Sequence, residues 1–280
     1  MDVWGGTKAV DRMFSVPGLD VHIVSSPYKG DENGGDIYYI SMCGVGNIAR
    51  LVVADVSGHG EIVAKTSARL RKLMRKHINT PDQAQFARSL NEAYLSESNN
   101  ENFATALLAT YWAPTDHLIL VNAGHPPPLL YRKREDRWFA LNADAPDVIT
   151  THNDEIGVRN LPLGIIEPTG YDQFAIRLEK DDNVLLYTDA LPEACDQAGN
   201  QLGTQGLLNL CEKACGHDPD DLAPRLLEQV KAFRGGCEPE DDQTIVVLHH
   251  NGADPSPQGL TDYARMIGRM MGVIGPSVSE

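Results

Sequence analysis

Five aspartates hold the chemistry that this chain offers. Asp36 follows Gly34-Gly35 at the head of an alternating run, and Asp55 sits at the end of Leu51-Val52-Val53-Ala54. Asp189 ends Val184-Leu185-Leu186-Tyr187-Thr188, and Asp241-Asp242 open Gln243-Thr244-Ile245-Val246-Val247-Leu248. Taken alone, each is ordinary turn chemistry, because aspartate beside glycine is a common way to bend a chain. Together they put acidic groups at four strand termini, beside small or turn-forming residues. A carboxylate-rich oxygen site suits a hard divalent cation, Mg2+ or Mn2+, and not zinc.

The pattern is tightest around Asp55. The β-branched run before it reads as a buried strand. Ser57-Gly58-His59-Gly60 then forces a turn with little side-chain bulk, since glycine tolerates φ > 0 and close backbone approach. Val63, Thr66, Leu70, Leu73 and His77 follow at helical spacing, so a helix starts at once. Asp55 is thereby held at a strand-to-helix corner. Asp36 lies nineteen residues earlier; if the two strands form a hairpin, their ends stand side by side.

The positioning elements come in a definite order. Residues 1–18 read as an unpatterned lead-in, and a domain over residues 19–250 follows. Strands are expected at 22–24, 36–42 and 48–55, with turns at 29–35 and 44–47, then helices at 61–78 and 81–98. A second strand block covers 104–112, 117–122, 128–132, 138–141, 174–178 and 183–188, interrupted by a surface loop at 143–160. Helices at 204–215 and 219–234 precede a last strand, 243–249. Residues 251–280 form a linker, marked by Pro255-Ser256-Pro257, and a tail in which Leu260–Met271 reads as a short amphipathic helix. Strand blocks alternating with helix pairs argue for an α+β fold of antiparallel sheets covered by helices rather than a doubly wound parallel sheet.

Composition narrows the partners. With 24 Lys+Arg against 39 Asp+Glu the formal charge is −15, so phosphate backbones and anionic lipid are repelled and neither nucleic acid nor membrane is expected. No apolar run approaches the length of a membrane span and no secretory leader is evident, so a soluble, cytoplasmic protein is expected. Five cysteines without a Cys-x-x-Cys pair read as buried thiols in a reducing compartment.

Six short motifs occur in the order seen in one family: Gly34-Gly35-Asp36, Ala54-Asp55-Val56-Ser57-Gly58-His59-Gly60, Asn122-Ala123-Gly124-His125-Pro126-Pro127-Pro128, Leu161-Pro162-Leu163-Gly164, Tyr187-Thr188-Asp189 and Asp241-Asp242-Gln243-Thr244. Over about residues 20–249 the chain resembles the bacterial PPM/PP2C-type serine/threonine phosphatases of the SpoIIE/RsbU branch. The resemblance implies two antiparallel β-sheets packed as a sandwich flanked by helix pairs, with two Mn2+ or Mg2+ ions at one end. By motif, Asp55 bridges the ions, Asp36, Asp189 and Asp241 or Asp242 complete the carboxylates, and the Val56 carbonyl is a further ligand. Family usage favours Asp241 over Asp242. The implied reaction is direct in-line attack of an activated water on phosphoserine or phosphothreonine, with Asp55 and Asp36 acting through that water and His59 a candidate proton donor. The implied substrate is a phosphorylated protein such as an anti-sigma-factor antagonist. Control in trans, by a regulatory partner or a homodimer, is the matching expectation.

Two positions depart from the family pattern. Ala190 replaces a common glycine, which matters if that backbone needs φ > 0, and Ile40 replaces an aspartate four residues after Asp36. Ala190 keeps a second reading open, a catalytically weak or dead relative that binds a phosphoprotein or partner. His125 reads either as a proton donor or as a turn residue supporting the site. Cys195 lies in a site-adjacent loop without the surroundings of an activated thiolate.

Overall fold

The computed structural model describes residues 3–31, 33–43, 47–58, 61–98, 102–151, 157–214 and 219–254. Among them the strands are β1 (Val3–Gly6), β2 (Val10–Val16), β3 (Leu19–Ser26), β4 (Ile37–Cys43), β5 (Ile48–Val56), β6 (Ala104–Trp112), β7 (His117–Ala123), β8 (Leu129–Arg132), β9 (Arg137–Ala140), β10 (Ile149–Thr151), β11 (Gln173–Arg177), β12 (Asn183–Tyr187) and β13 (Gln243–His250). The helices are α1 (Glu61–His77), α2 (Gln83–Ser98), α3 (Gly203–Ala214) and α4 (Pro219–Phe233).

Strands apolar on both faces need cover on both sides, and that requirement sets the layers. Leu51 and Val53 of β5 face the same core as Val21, Ile23, Val246 and Leu248 of β3 and β13, between the sheets. Val52, Ala54 and Val56 face the opposite way, against Leu70, Met74, Phe86 and Leu90 of α1 and α2. A third core joins Leu185, Tyr187, Ile245 and Val247 to Leu207, Leu222, Leu226 and Val230 of α3 and α4. One sheet runs β1-β4-β5-β6-β7-β11-β10 and the other β2-β3-β13-β12-β8-β9, with antiparallel pairing between neighbours. The result is the expected α-β-β-α sandwich.

Three sequence expectations need correction. Residues 1–18 are not a loose lead-in: β1 and β2 form the edge strands of the two sheets, paired with β4 and β3. β2 is mostly solvent-facing, so burial imprints no alternation on it. In β1, Gly5 and Gly6 lie against the Tyr39 and Tyr38 side chains, where an added Cβ would come within 2.9 Å of Tyr39 Cδ2 and 2.6 Å of the Tyr38 hydroxyl. The loop expected at 143–160 contains β10, whose Ile149 is 64% exposed and is held in register by pairing with Ala175. The thiols are not uniformly buried either, for Cys211 is buried and Cys195 and Cys237 are exposed. Leu260–Met271, Cys215 and most of the turn at 44–47 lie outside the described residues. Among the described residues no helix is long and apolar enough to cross a membrane.

Candidate active site

The β4–β5 hairpin pairs Ile37 with Ala54, so Asp36 just before β4 and Asp55 near the end of β5 are brought to the same sheet end. In the other sheet Tyr187 pairs with Ile245, which puts Asp189 after β12 near Asp241-Asp242 before β13. A side-chain hydrogen bond ties the two sheet ends together, the Thr188 hydroxyl donating to Asp36 Oδ2 at 2.8 Å, beside the backbone contacts of Asp242 described below. Thr188 is itself oriented by the Thr244 N–H at 3.0 Å, and the Thr244 hydroxyl lies 2.8 Å from the Ser25 hydroxyl. These residues were missed as site residues, although Thr188 and Thr244 stand inside two of the six motifs. The signal was there: Thr188 immediately precedes Asp189, and Thr244 follows Asp242 by two positions.

Gly34 and Gly35 serve here by lacking a side chain, and neither has positive φ. A Cβ on Gly34 would lie 2.6 Å from Asp242 Cγ, and one on Gly35 would lie 3.2 Å from the Val56 carbonyl oxygen and 3.3 Å from Asp55 Oδ1. The backbone at 34–36 therefore packs directly on the acidic groups. Asp242 accepts hydrogen bonds from the Tyr28 N–H at 2.6 Å and the Gly35 N–H at 2.5 Å, with the Asp36 N–H at 3.4 Å. It is buried, whereas Asp241 is exposed and accepts the Asp242 N–H at 2.8 Å. Both border a cavity of about 660 Å³ that also reaches Gly34, Gly35 and Gly58. Gly58 has φ +109°, the conformation expected of the turn after Asp55.

The carboxylates influence one another strongly. Burial, and next the Asp55 charge, push the Asp36 carboxyl well above the ordinary range, against the stabilising Thr244 and Thr188 hydroxyls. Burial, then the charges of Asp189, Asp241, Asp242 and Glu193, raise Asp55 to about 7. Burial, then Glu193 and Asp241, raise Asp189 to about 6. Glu193 was not foreseen; its N–H donates to the Asp189 carbonyl at 2.9 Å in the turn after the Thr-Asp motif.

The linkage has a definite sign. Between the ordinary value of 3.8 and about 6–7, the folded metal-free protein binds more protons at Asp55 and Asp189 than the unfolded chain. Stability should therefore fall as pH rises from 5 to 8 in EDTA, and the Asp55→Asn variant should show a shallower fall. Scanning fluorimetry across that range checks this; a flat wild-type curve in EDTA contradicts it.

The remaining sequence candidates fall into place around this centre. His59 lies outside the described residues. His125 is buried, with Nδ1 2.8 Å from the Thr105 hydroxyl, while its N–H and carbonyl are both bonded to the Asn122 side chain. Burial lowers it to about 4, so it is neutral near pH 7 and acts as a turn lock. Ala190 is not among the residues with positive φ, so its methyl meets no backbone strain; its carbonyl accepts from Arg234 at 2.7 Å. Ile40 packs in the core between the sheets, roughly 13 Å along the strand from Asp36.

Among the described residues, no three His, Cys, Asp or Glu side chains already surround one point at ligating distance. The donor types nevertheless would suit a hard divalent ion: Asp36, Asp55, Asp189 and Asp241 or Asp242 offer carboxylates and Val56 a carbonyl, and burial with mutual repulsion raises the carboxyls of Asp36, Asp55 and Asp189.

Two antiparallel sheets flanked by four helices, with acidic groups where the sheets meet, form the α+β architecture of PP2C-type phosphatase domains. Residues 46–251 match the family described as Stage II sporulation protein E (SpoIIE), and the chain belongs to that family. It is 24% identical over 249 residues to Stage II sporulation protein E of Priestia megaterium, covering 88% of this chain and 39% of that protein. It is 25% identical over 231 residues to the phosphoserine phosphatase RsbU of Bacillus subtilis, covering 82% of this chain and 63% of that protein. The chain thus spans less than two thirds of either relative. In fold it is similar to the RsbU and RsbW domains of Rv1364c from Mycobacterium tuberculosis, with TM-score 0.68, 21% identity, and coverage of 90% of this chain and 64% of that one. The PP2C phosphatase domain of SpoIIE from Bacillus subtilis gives TM-score 0.67 at 18% identity, with coverage of 89% and 66%.

Proposed function

We propose that this protein is a metal-dependent protein serine/threonine phosphatase that hydrolyses phosphoserine or phosphothreonine in a signalling protein, such as an anti-sigma-factor antagonist. The observation that carries the reading is the Thr188–Asp36 hydrogen bond, which joins the acidic ends of the two sheets into one site. Family membership supports it, as does the name phosphoserine phosphatase carried by the Bacillus subtilis relative.

In this reading Asp36, Asp55, Asp189, Asp241 and the Val56 carbonyl hold two Mn2+ or Mg2+ ions. Bound there, such ions would offset charge on the phosphoryl oxygens and acidify the attacking water. The chain's own work is positional. Thr188 fixes the rotamer of Asp36, Asp242 anchors the backbone from Tyr28 to Asp36, and the two glycines let that backbone approach Asp55. Asp242 thus serves as an anchor, which leaves Asp241 as the ligand of the pair. The partner-binding alternative rested on Ala190, and its backbone conformation removes that support.

Hydrolysis of para-nitrophenyl phosphate with and without Mn2+ tests the proposal. Mn2+-dependent release of nitrophenolate is expected, abolished by EDTA and restored by added metal. Metal binding without turnover would favour the partner-binding alternative.

A further inference from the structure

We propose that Arg234 is a positioning residue that fixes Asp189 by holding the carbonyl of Ala190. The inference rests on the reading of Asp189 as a metal ligand, and it names what keeps that carboxylate in place. The carbonyls that follow β12 find their donors in order. The Leu191 N–H donates to the Thr188 carbonyl at 3.3 Å and the Glu193 N–H to that of Asp189 at 2.9 Å, both from within the turn. The Ala190 carbonyl is met instead by Arg234 Nη2, 44 positions away, at 2.7 Å. Against burial and its acidic neighbours, the Asp189 carboxylate accepts a hydrogen bond from the Ala190 N–H. Ala190 thus links the guanidinium to the aspartate.

Arg234 is itself held at a fixed point. Directly after α4 its N–H donates to the Val230 carbonyl at 3.0 Å, and the Gly235 and Gly236 N–H groups close back on Ala232 and Lys231 at 3.0 and 2.9 Å. That pair of bonds needs positive φ at the first glycine, and Gly235 has φ +69°. The arginine side chain is only 7% exposed, and a charge placed so deep is costly unless hydrogen-bonded and paired. Burial draws the guanidinium down and the Glu240 charge opposes it, and arginine stays a cation throughout. It borders a cavity of about 350 Å³ with Glu193, Glu240 and Asp241, and is the single basic side chain among the described residues that line it. Those carboxylates disfavour an anionic ligand there. The guanidinium therefore serves the protein's own turn, from behind the aspartate.

The test is calorimetric titration of Mn2+ into the full chain. Loss of a partner that orients a ligating carboxylate weakens metal binding, so Arg234→Met should raise the Mn2+ Kd about tenfold. Arg234→Lys should raise it about threefold, because the ammonium keeps the charge without the planar fork. The sign separates the alternatives: were Arg234 only a nearby positive charge, its removal would tighten a cation site. Leu226→Val, a buried change on α4, controls for loosening of the helix; it should lower Tm and leave the Mn2+ Kd within about twofold. Hydrogen exchange of the peptide covering 189–194, measured before metal is added, should quicken in Arg234→Met and Arg234→Lys and not in Leu226→Val. Unchanged or tighter Mn2+ binding in Arg234→Met overturns the proposal. So does an equal loss in Leu226→Val, or unchanged exchange at 189–194. A wild-type chain that binds no Mn2+ removes the metal reading together with this one.

Discussion

Replacing Asp55 by Asn should abolish Mn2+-dependent phosphatase activity while leaving the fold intact. Asp55 stands at a junction of charge: Asp189, Asp241, Asp242 and Glu193 all act on it, and burial adds to their effect. The amide keeps the shape but removes the charge that holds a cation. Losing several kcal/mol of transition-state stabilisation corresponds to about a thousandfold in rate. Measured as kcat/KM on para-nitrophenyl phosphate at saturating Mn2+, the variant should retain below about 1% of activity by that scale. Its metal-free form should melt no lower than wild type at pH 8, because one buried repulsive charge has gone. That second readout separates a lost ligand from a damaged fold. Retention of more than a few per cent of activity, with the fold intact, would defeat the assignment of Asp55.

Asp242→Ala should behave quite differently from Asp241→Ala, although the residues are adjacent. The Asp242 carboxylate accepts the N–H groups of Tyr28 and Gly35 and lies against that of Asp36. Removing it leaves buried donors without an acceptor, at about 1–3 kcal/mol each, so a loss of roughly 3–5 kcal/mol is expected. For a chain of this size that is a drop in Tm of about 10 °C. Activity should fall as well, since the freed backbone carries Asp36. Asp241 is exposed, so Asp241→Ala should change Tm little and weaken Mn2+ binding instead. Calorimetric titration of Mn2+ beside thermal melts reads both effects. The reverse pattern would exchange the roles of anchor and ligand.

Much of this was legible along the chain. Strands packed on both faces, such as β5, carry continuous apolar text, and the helices over them carry the 3.6-residue repeat. The order of these elements gave the α+β class, and the motifs pointed to the aspartates at strand ends. β1 and β10 escaped because they are only four and three residues long, and β2 because it is mostly solvent-facing, so none carries an apolar alternation to read. Ile40 shows that spacing in sequence is not nearness in space: along an extended strand, four residues carry it away from Asp36 and into the core.

By itself, then, the sequence determined the apolar strands and amphipathic helices of the cores, and that an aspartate stands at one end of each of four strands. These are local consequences of hydrophobic periodicity and turn chemistry. Only the tertiary structure decided that Asp242 clamps Gly35, 207 positions away, and that Thr188 holds Asp36, 152 positions away. The same is true of Gly34 and Gly35, which are needed for space rather than for backbone conformation. Hydrogen-bond partnership and steric clearance depend on which strand ends meet when two sheets close over a shared core. No local pattern records that meeting.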